Sequence, residues 1–199
     1  MLKSPSPAVL KISNYISAVF NPMNSLVIYF LIFSFKNFSL KETVMNFLPL
    51  LLIAIIPISS WIFYNVKTKK YTDADVSDRK QRKGLYFFIA ASIMLYLIFI
   101  YLRYERIDYA VLFLLILLIV MQISNYFIKS SMHTALNIFV AALMLTIKPY
   151  YGLIWLGIAV MVALSRIILK KHSLAEVVSG AVIACIISFI YLYTHIQIQ

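Results

Sequence analysis

Residues 112–120 read LFLLILLIV and are apolar on every side. A transmembrane barrel strand would instead alternate polar and apolar residues. Within hydrocarbon, every backbone N–H and C=O group must find its partner inside the protein, which leaves only helices or a closed barrel. The stretch therefore predicts a transmembrane helix.

The chain as a whole is also rich in apolar residues and poor in charged ones. Of its 199 residues, 63% are hydrophobic and 13% are charged, whereas about a quarter of the residues in a soluble domain are charged. The apolar residues fall into blocks of about 20, the length that crosses a bilayer as a helix. We predict one all-α domain over residues 1–199, a polytopic transmembrane helix bundle of about six to seven spans.

Seven blocks of this kind are candidate spans. The fifth block is short, so we expect it to be tilted or partly sunk in the bundle. The blocks run over residues 12–35, 44–66, 85–102, 109–128, 132–147, 153–169 and 174–193.

The net charge of +11 bears on the partners of the chain. On a soluble protein this charge would suggest nucleic acid. On a membrane protein it is first a topology signal and a means of contact with anionic headgroups. We therefore expect membrane lipids, and no nucleic acid, as partners. The sequence does not predict an oligomeric state.

Three polar segments fall on one side of the predicted bundle. Residues 67–84 follow the second span, residues 129–133 follow the fourth, and residues 166–176 follow the sixth. Each pair of spans returns the chain to the face it left, so all three segments share a face, which we call the site face. Most of the lysines and arginines lie there, which by the positive-inside rule favours the cytoplasm for this face. The bias is smaller without the candidate phosphate ligands, so the opposite side of the membrane stays open.

The site face carries side chains suited to phosphoryl transfer. His172 and Glu176 are four residues apart and would share one face of a helix. A carboxylate in that position holds one imidazole N–H and leaves the other nitrogen to attack or bind. Arg166 offers a planar fork that matches a phosphoryl group. With His133, these residues would supply nucleophile, acid, orienter and charge clamp.

Simpler roles compete with these. A basic loop is more often a topology signal than a binding site, and a histidine at the end of a span is more often interfacial than catalytic. A zinc site needs three or four ligands, whereas the site face offers two histidines and no cysteine. We therefore expect no metal.

The three segments resemble motifs of the type-2 phosphatidic acid phosphatase superfamily, which includes bacterial lipid phosphatases and the soluble vanadium haloperoxidases. The third family motif, Ser-Arg-x5-His-x3-Asp, is matched by Ser165, Arg166, His172 and Glu176. The second, Pro-Ser-Gly-His, corresponds to SSMH at residues 130–133. The first, a Lys/Arg stretch ending in Arg-Pro, corresponds to DRKQRKGL at residues 78–85. The motif-bearing core covers about residues 78–195.

The resemblance implies roles for these residues. His172 would be the nucleophile, forming a phosphohistidine without metal or cofactor. Glu176 would orient it, and His133 would protonate the leaving group and then activate water. The residues that would bind the phosphoryl oxygens are Arg166, Ser131, Met132, Arg79, Lys80 and Arg82. Three features depart from the family pattern: Met132 replaces glycine, Glu176 replaces aspartate, and the first motif lacks its proline.

The expected function is that of an integral membrane lipid phosphate phosphatase, in the inner membrane of a bacterium. Phosphatidic acid, phosphatidylglycerol phosphate and polyprenyl diphosphate all fit as substrates, since each keeps its tail in lipid. Two alternatives stay open. A phosphotransferase would use the same residues and pass the group to an alcohol. A non-enzymatic lipid-binding or transport protein would use the cations to hold anionic headgroups and would not need His172.

Overall fold

The computed structural model describes residues 5–76 and 78–198, and these residues form helices joined by turns and loops, with no strand among them. The all-α class predicted from sequence is confirmed. The helices are α1 Pro7–Val19, α2 Pro22–Asn37, α3 Leu40–Leu50, a π-helical turn Leu51–Ile55, α4 Ile56–Lys67, α5 Arg79–Tyr104, α6 Tyr109–Ser124, α7 Met132–Ile147, α8 Pro149–Ile168 and α9 Leu174–Ile198.

Four of the described helical segments are long and apolar enough to cross a membrane. They are the continuous segment Leu40–Lys67, which comprises α3, the π-helical turn and α4, together with α5, α8 and α9. Their exposed side chains include many large apolar residues, which suits contact with lipid. Each of the seven predicted blocks is helical, but α6 and α7 have only 16 residues, or about 24 Å at 1.5 Å per residue. By length and composition, the described helices thus give fewer candidate spans than the six to seven predicted from the sequence.

The first predicted span is broken into α1 and α2, which meet at 54°. The break follows from Asn21 and Pro22. Proline has no N–H to donate and disfavours helical geometry in the residue before it. The Asn21 side chain accepts a hydrogen bond from the N–H of Asn24 at 3.0 Å, as an N-cap residue does. With the α1–α2 pair taken as one span, the described helices give five candidate spans.

The described residues divide into two compact units. The first unit combines Met1–Phe30 with Ile128–Gln199, and the second is Leu31–Phe127. The second and third motifs belong to the first unit, and the first motif belongs to the second.

Helix α7 is the centre of the first unit. Twelve of its 16 residues are buried, and it packs against α8 and α9, while α1 packs against α8. A helix buried on most sides reads as uniformly apolar, which explains why so short a block resembles a span in the sequence. The expectation that this block is sunk in the bundle is confirmed.

A buried amide on α7 satisfies polar groups from three other parts of the first unit. The Asn137 Nδ2 group donates to the Phe20 carbonyl at 2.9 Å and to the His133 carbonyl at 2.8 Å. Its Oδ1 accepts from the Ser25 hydroxyl at 3.0 Å and from the Trp155 indole at 3.3 Å. The break between α1 and α2 removes helical partners from the backbone near Phe20, and Asn137 replaces one of them.

In the second unit, aromatic contacts join the helices that flank the long polar connection. The Trp61 ring of α4 stacks on Phe88 of α5 with centroids 4.4 Å apart. The Trp61 indole donates to the hydroxyl of buried Tyr71 at 3.1 Å. These contacts hold the start of the polar connection against α4 and α5.

Replacing Asn137 by alanine will destabilise the first unit. The change removes the partner of the Phe20 carbonyl, the Ser25 hydroxyl and the Trp155 indole, and unsatisfied buried groups cost about 1–3 kcal/mol each. We expect a loss of about 3 kcal/mol in the free energy of unfolding, measured in detergent. Ser188→Ala is the matched control, since this buried hydroxyl has no hydrogen-bond partner in the described part of the chain. Equal stability of the two variants would contradict the prediction.

Candidate functional site

His172 and Glu176 form a close pair at the start of α9. The His172 Nδ1 atom lies 2.9 Å from Glu176 Oε2. The imidazole is fully buried, whereas the carboxylate keeps 21% of its surface exposed. With a proton on Nδ1 donated to the carboxylate, the lone pair of the ring is on Nε2, the state required of a nucleophile or base. The predicted pairing of these two side chains is present in the structure.

The same carboxylate also caps α9. Glu176 Oε2 accepts from the Ser173 N–H at 3.1 Å, and the Ser173 hydroxyl accepts from the Glu176 N–H at 3.3 Å. This reciprocal pair is a capping box, in which Ser precedes Glu by three residues. Glutamate at position 176 therefore has a structural reason of its own. The Ser-x-x-Glu spacing is visible in the sequence, and the sequence analysis missed it.

The end of α8 brings the backbone of His172 to that of Arg166. Lys170 adopts a left-handed conformation with φ 54°. The Lys170 N–H donates to the Ile167 carbonyl, and the Lys171 N–H donates to the Arg166 carbonyl. This pattern is a Schellman motif, which ends a helix by turning the chain back on its last turn. The His172 N–H then also reaches the Arg166 carbonyl, at 3.2 Å.

The Arg166 side chain is the largest fully buried side chain among the described residues, with 1% of its surface exposed. Its Nη1 group donates to the hydroxyl of Ser17 on α1 at 2.7 Å. A buried guanidinium requires hydrogen-bonding partners, because taking the charge out of water costs several kcal/mol. The sequence analysis did not predict Ser17, which lies almost 150 residues away in a block without a motif.

The second motif is anchored directly on the third. The Ser131 N–H donates to the Glu176 carbonyl at 2.9 Å, and the Ser130 and Ser179 hydroxyls are 2.6 Å apart. Lys129 Nζ donates to the Lys171 carbonyl at 3.2 Å. These contacts bring the start of α7 against the first turn of α9.

Ser131, Met132 and His133 occupy that start of α7. Ser131 is fully buried and is the N-cap, with its hydroxyl accepting from Thr134 N–H at 3.5 Å and from Thr134 Oγ1 at 3.1 Å. Met132 is half-buried and His133 is 5% exposed. The positive ends of the α7 and α9 dipoles thus lie at one place, where an anion is favoured.

The first motif lies at the start of α5 in the second unit. Asp78 caps the helix by accepting from the N–H groups of Lys80 and Gln81. Arg79 Nε donates to the Asn125 carbonyl at 2.6 Å, and the Asn125 amide donates back to the Arg79 carbonyl at 3.3 Å. Asn125 is buried and was not predicted from the sequence, since only the fold brings it to Arg79.

The remaining cations of the first motif differ in exposure. Arg82 is 5% exposed, and its Nε donates to the Val76 carbonyl at 2.9 Å. Lys80 is exposed, and Lys83 Nζ lies 4.5 Å from the centroid of the Tyr126 ring. In both arginines of this motif the Nε group is engaged with a backbone carbonyl.

The structure thus assembles Ser131, Met132, His133, Arg166, His172 and Glu176 in the first unit, and places Arg79, Lys80 and Arg82 at one helix start in the second. Among the described residues, no group of three or more His, Cys, Asp and Glu side chains has the arrangement of a metal site.

Comparisons with protein families, with curated proteins and with solved structures find no match for the chain.

The close approach of α7 to α9 depends on Gly180. A Cβ atom at this position would lie 2.7 Å from the Ser131 carbonyl oxygen and 3.1 Å from the Ser131 nitrogen. Gly180→Ala will therefore push the start of α7 away from α9, and overpacking of this kind costs about 1–3 kcal/mol. We expect a lower melting temperature in detergent.

Gly157→Ala is the control for Gly180→Ala. Gly157 lies within α8, and a Cβ atom there meets nothing within 4 Å. Alanine is the better helix former by up to about 1 kcal/mol, so this variant should match or exceed the wild type. A Gly180→Ala protein as stable as the Gly157→Ala protein would show that the approach is not tight.

Proposed function

We propose that the chain is an integral membrane phosphatase that hydrolyses a lipid phosphate through a phosphohistidine. The observation that carries the proposal is the 2.9 Å pair of His172 Nδ1 and Glu176 Oε2, held beside the buried Arg166 by a backbone hydrogen bond. A carboxylate that orients an imidazole, together with an arginine whose backbone is bonded to that of the histidine, supplies the nucleophile and the cation that phosphoryl transfer to nitrogen requires. The motif resemblance described above supports the same chemistry.

In the first step, His172 Nε2 attacks the phosphorus and a P–N bond forms. The bond from phosphorus to the lipid oxygen breaks, and protonated His133 gives its proton to that oxygen. Glu176 stays ionised and stabilises the positive charge that develops on the His172 ring. Arg166 binds the phosphoryl oxygens, and the N–H of Met132 and the hydroxyl of Ser131 complete this set.

In the second step, a water molecule attacks the phosphohistidine. His133 takes a proton from the water, the P–N bond breaks, and inorganic phosphate leaves. His133 is then protonated again and His172 is neutral, as at the start. The helix starts of α7 and α9 favour the anion throughout, because their dipoles present positive ends.

The apolar helices around the site favour a substrate whose tail stays in the bilayer. Phosphatidic acid, phosphatidylglycerol phosphate and polyprenyl diphosphate meet this condition. We propose that the protein acts in the inner membrane of a bacterium with the site toward the cytoplasm, since most lysines and arginines fall on the predicted site face and positive residues favour that side.

The direct test is release of phosphate from mixed micelles of each of the three lipids in the presence of EDTA. We expect metal-independent release by the wild type, inhibition by vanadate, and loss of at least about 1,000-fold in His172→Ala, because removal of a nucleophile eliminates the covalent route. His195→Ala is the matched control and should retain activity, since His195 lies in the last turn of α9.

Two outcomes would overturn the proposal. Release that persists in His172→Ala would exclude the phosphohistidine route. No release from any of the three lipids by folded wild-type protein would favour a phosphotransferase or a protein that only binds anionic lipids, and product analysis with an added alcohol separates these two.

Glu176→Gln separates the two roles of that carboxylate. Glutamine also serves in a capping box, so the melting temperature should stay near that of the wild type. Its neutral amide does not stabilise the charged His172 ring, so kcat should fall on the order of 100-fold or more, as for a carboxylate that orients a catalytic histidine. A fall in stability with unchanged kcat would show that Glu176 serves only as a helix cap.

A further inference from the structure

Helix α1 has an inverted distribution of polar and apolar side chains. Ser13 and Ser17 are buried, with 4% and 6% of their surfaces exposed, while Ile12 and Tyr15 are 60% and 70% exposed. A helix of a soluble protein would bury its apolar face. In a membrane protein, polar side chains turn toward other helices and bond across them. The partner of α1 is α8, the helix that carries Arg166.

Ser17 contacts Arg166 at the charged end of its side chain. The Ser17 hydroxyl accepts from Arg166 Nη1 at 2.7 Å, and both side chains are buried. An arginine side chain has several rotatable bonds, and its fork binds a phosphoryl group only when its plane is oriented. A fixed acceptor on one Nη atom restricts that plane.

Asn137 fixes the position of Ser17 itself. Phe20, three residues after Ser17, gives its carbonyl to Asn137 Nδ2 at 2.9 Å, and the same amide reaches the carbonyl of His133 at 2.8 Å. The end of α1 is therefore attached to α7, the helix that begins with Ser131 and His133. Ser17 also bonds to Arg166 of α8, so α1 is held by α7 and α8, two of the helices that carry site residues.

We propose that Ser17 is a positioning residue that sets the guanidinium of Arg166 for a phosphoryl group, which makes the broken first helix part of the site. This inference rests on the proposed function. It extends the site beyond the three motifs, since α1 contains none of them. Ser17 acts through Arg166 and does not touch the reacting atoms.

The test compares Ser17→Ala, Ser17→Thr and Ser13→Ala in the micelle assay, with vanadate as the probe of the phosphoryl site. A hydrogen bond to a charged group accounts for a factor of roughly 10 or more. We expect Ser17→Ala to raise both KM and the vanadate inhibition constant roughly 10-fold, while Ser17→Thr, which keeps the hydroxyl, restores both. Ser13→Ala, one turn earlier on the same buried face, should behave as the wild type.

A general loss of folding would give a different result. Partly unfolded protein lowers the apparent kcat through the active fraction and leaves KM and the vanadate inhibition constant unchanged. That pattern in Ser17→Ala, or values equal to those of Ser13→Ala, would overturn the inference. His172→Ala in the same assay separates failure of the proposed function from failure of the inference. An inactive wild type would overturn both. An active wild type with an inactive His172→Ala and a normal Ser17→Ala would overturn the inference alone.

Discussion

A polar group inside hydrocarbon has no water to bond, and this constraint decides where the polar side chains of the first unit lie. Asn137 uses its amide oxygen and nitrogen on four partners. Without this amide, the Phe20 carbonyl, the Ser25 hydroxyl and the Trp155 indole would each lose a hydrogen bond in an apolar interior. Arg166, buried on the neighbouring helix, is subject to the same requirement and donates to Ser17. These bonds tie α1 and α8 to their places around α7, in addition to the apolar packing of the helices.

Glu176 illustrates how one residue type can meet two requirements. Its carboxylate caps α9 through the Ser173 N–H and holds His172 Nδ1, with the same oxygen serving both. Its own carbonyl accepts from Ser131 N–H. The residue therefore links the helix start, the imidazole and the second motif. A side chain that reaches back to its N-cap and across to an imidazole needs length, which gives a physical account of glutamate at this position.

The sequence predicted the elements well because hydropathy is a local property. Each of the seven blocks is helical, and the burial of the short block at α7 was expected. Two further features also have local signals, namely the break at Asn21 and Pro22 and the capping box of Ser173 and Glu176. Neither signal is visible in the length of the apolar blocks. The pairing of His172 with Glu176 was predictable since helical spacing fixes it.

Other features of the site depend on contacts between distant parts of the chain. Ser17 meets Arg166 across almost 150 residues, and Asn125 meets Arg79 across 46. A serine in an apolar block looks the same in sequence whether it faces lipid or a buried arginine. Only the packing of the helices distinguishes the two, so neither partner could be predicted from spacing.

The length of α7 has a consequence for depth in the membrane. A helix of 16 residues rises about 24 Å, whereas the hydrocarbon core of a bilayer is about 30 Å thick. Set across such a bilayer, α7 either leaves one end below the level of the lipid ester groups or thins the bilayer around the first unit. Ser131 and His133 stand at one of those ends. A lipid headgroup that contacts these residues would lie deeper than its normal position at the bilayer surface. Recognition would then depend on the thickness of the membrane as well as on the chemistry of the headgroup.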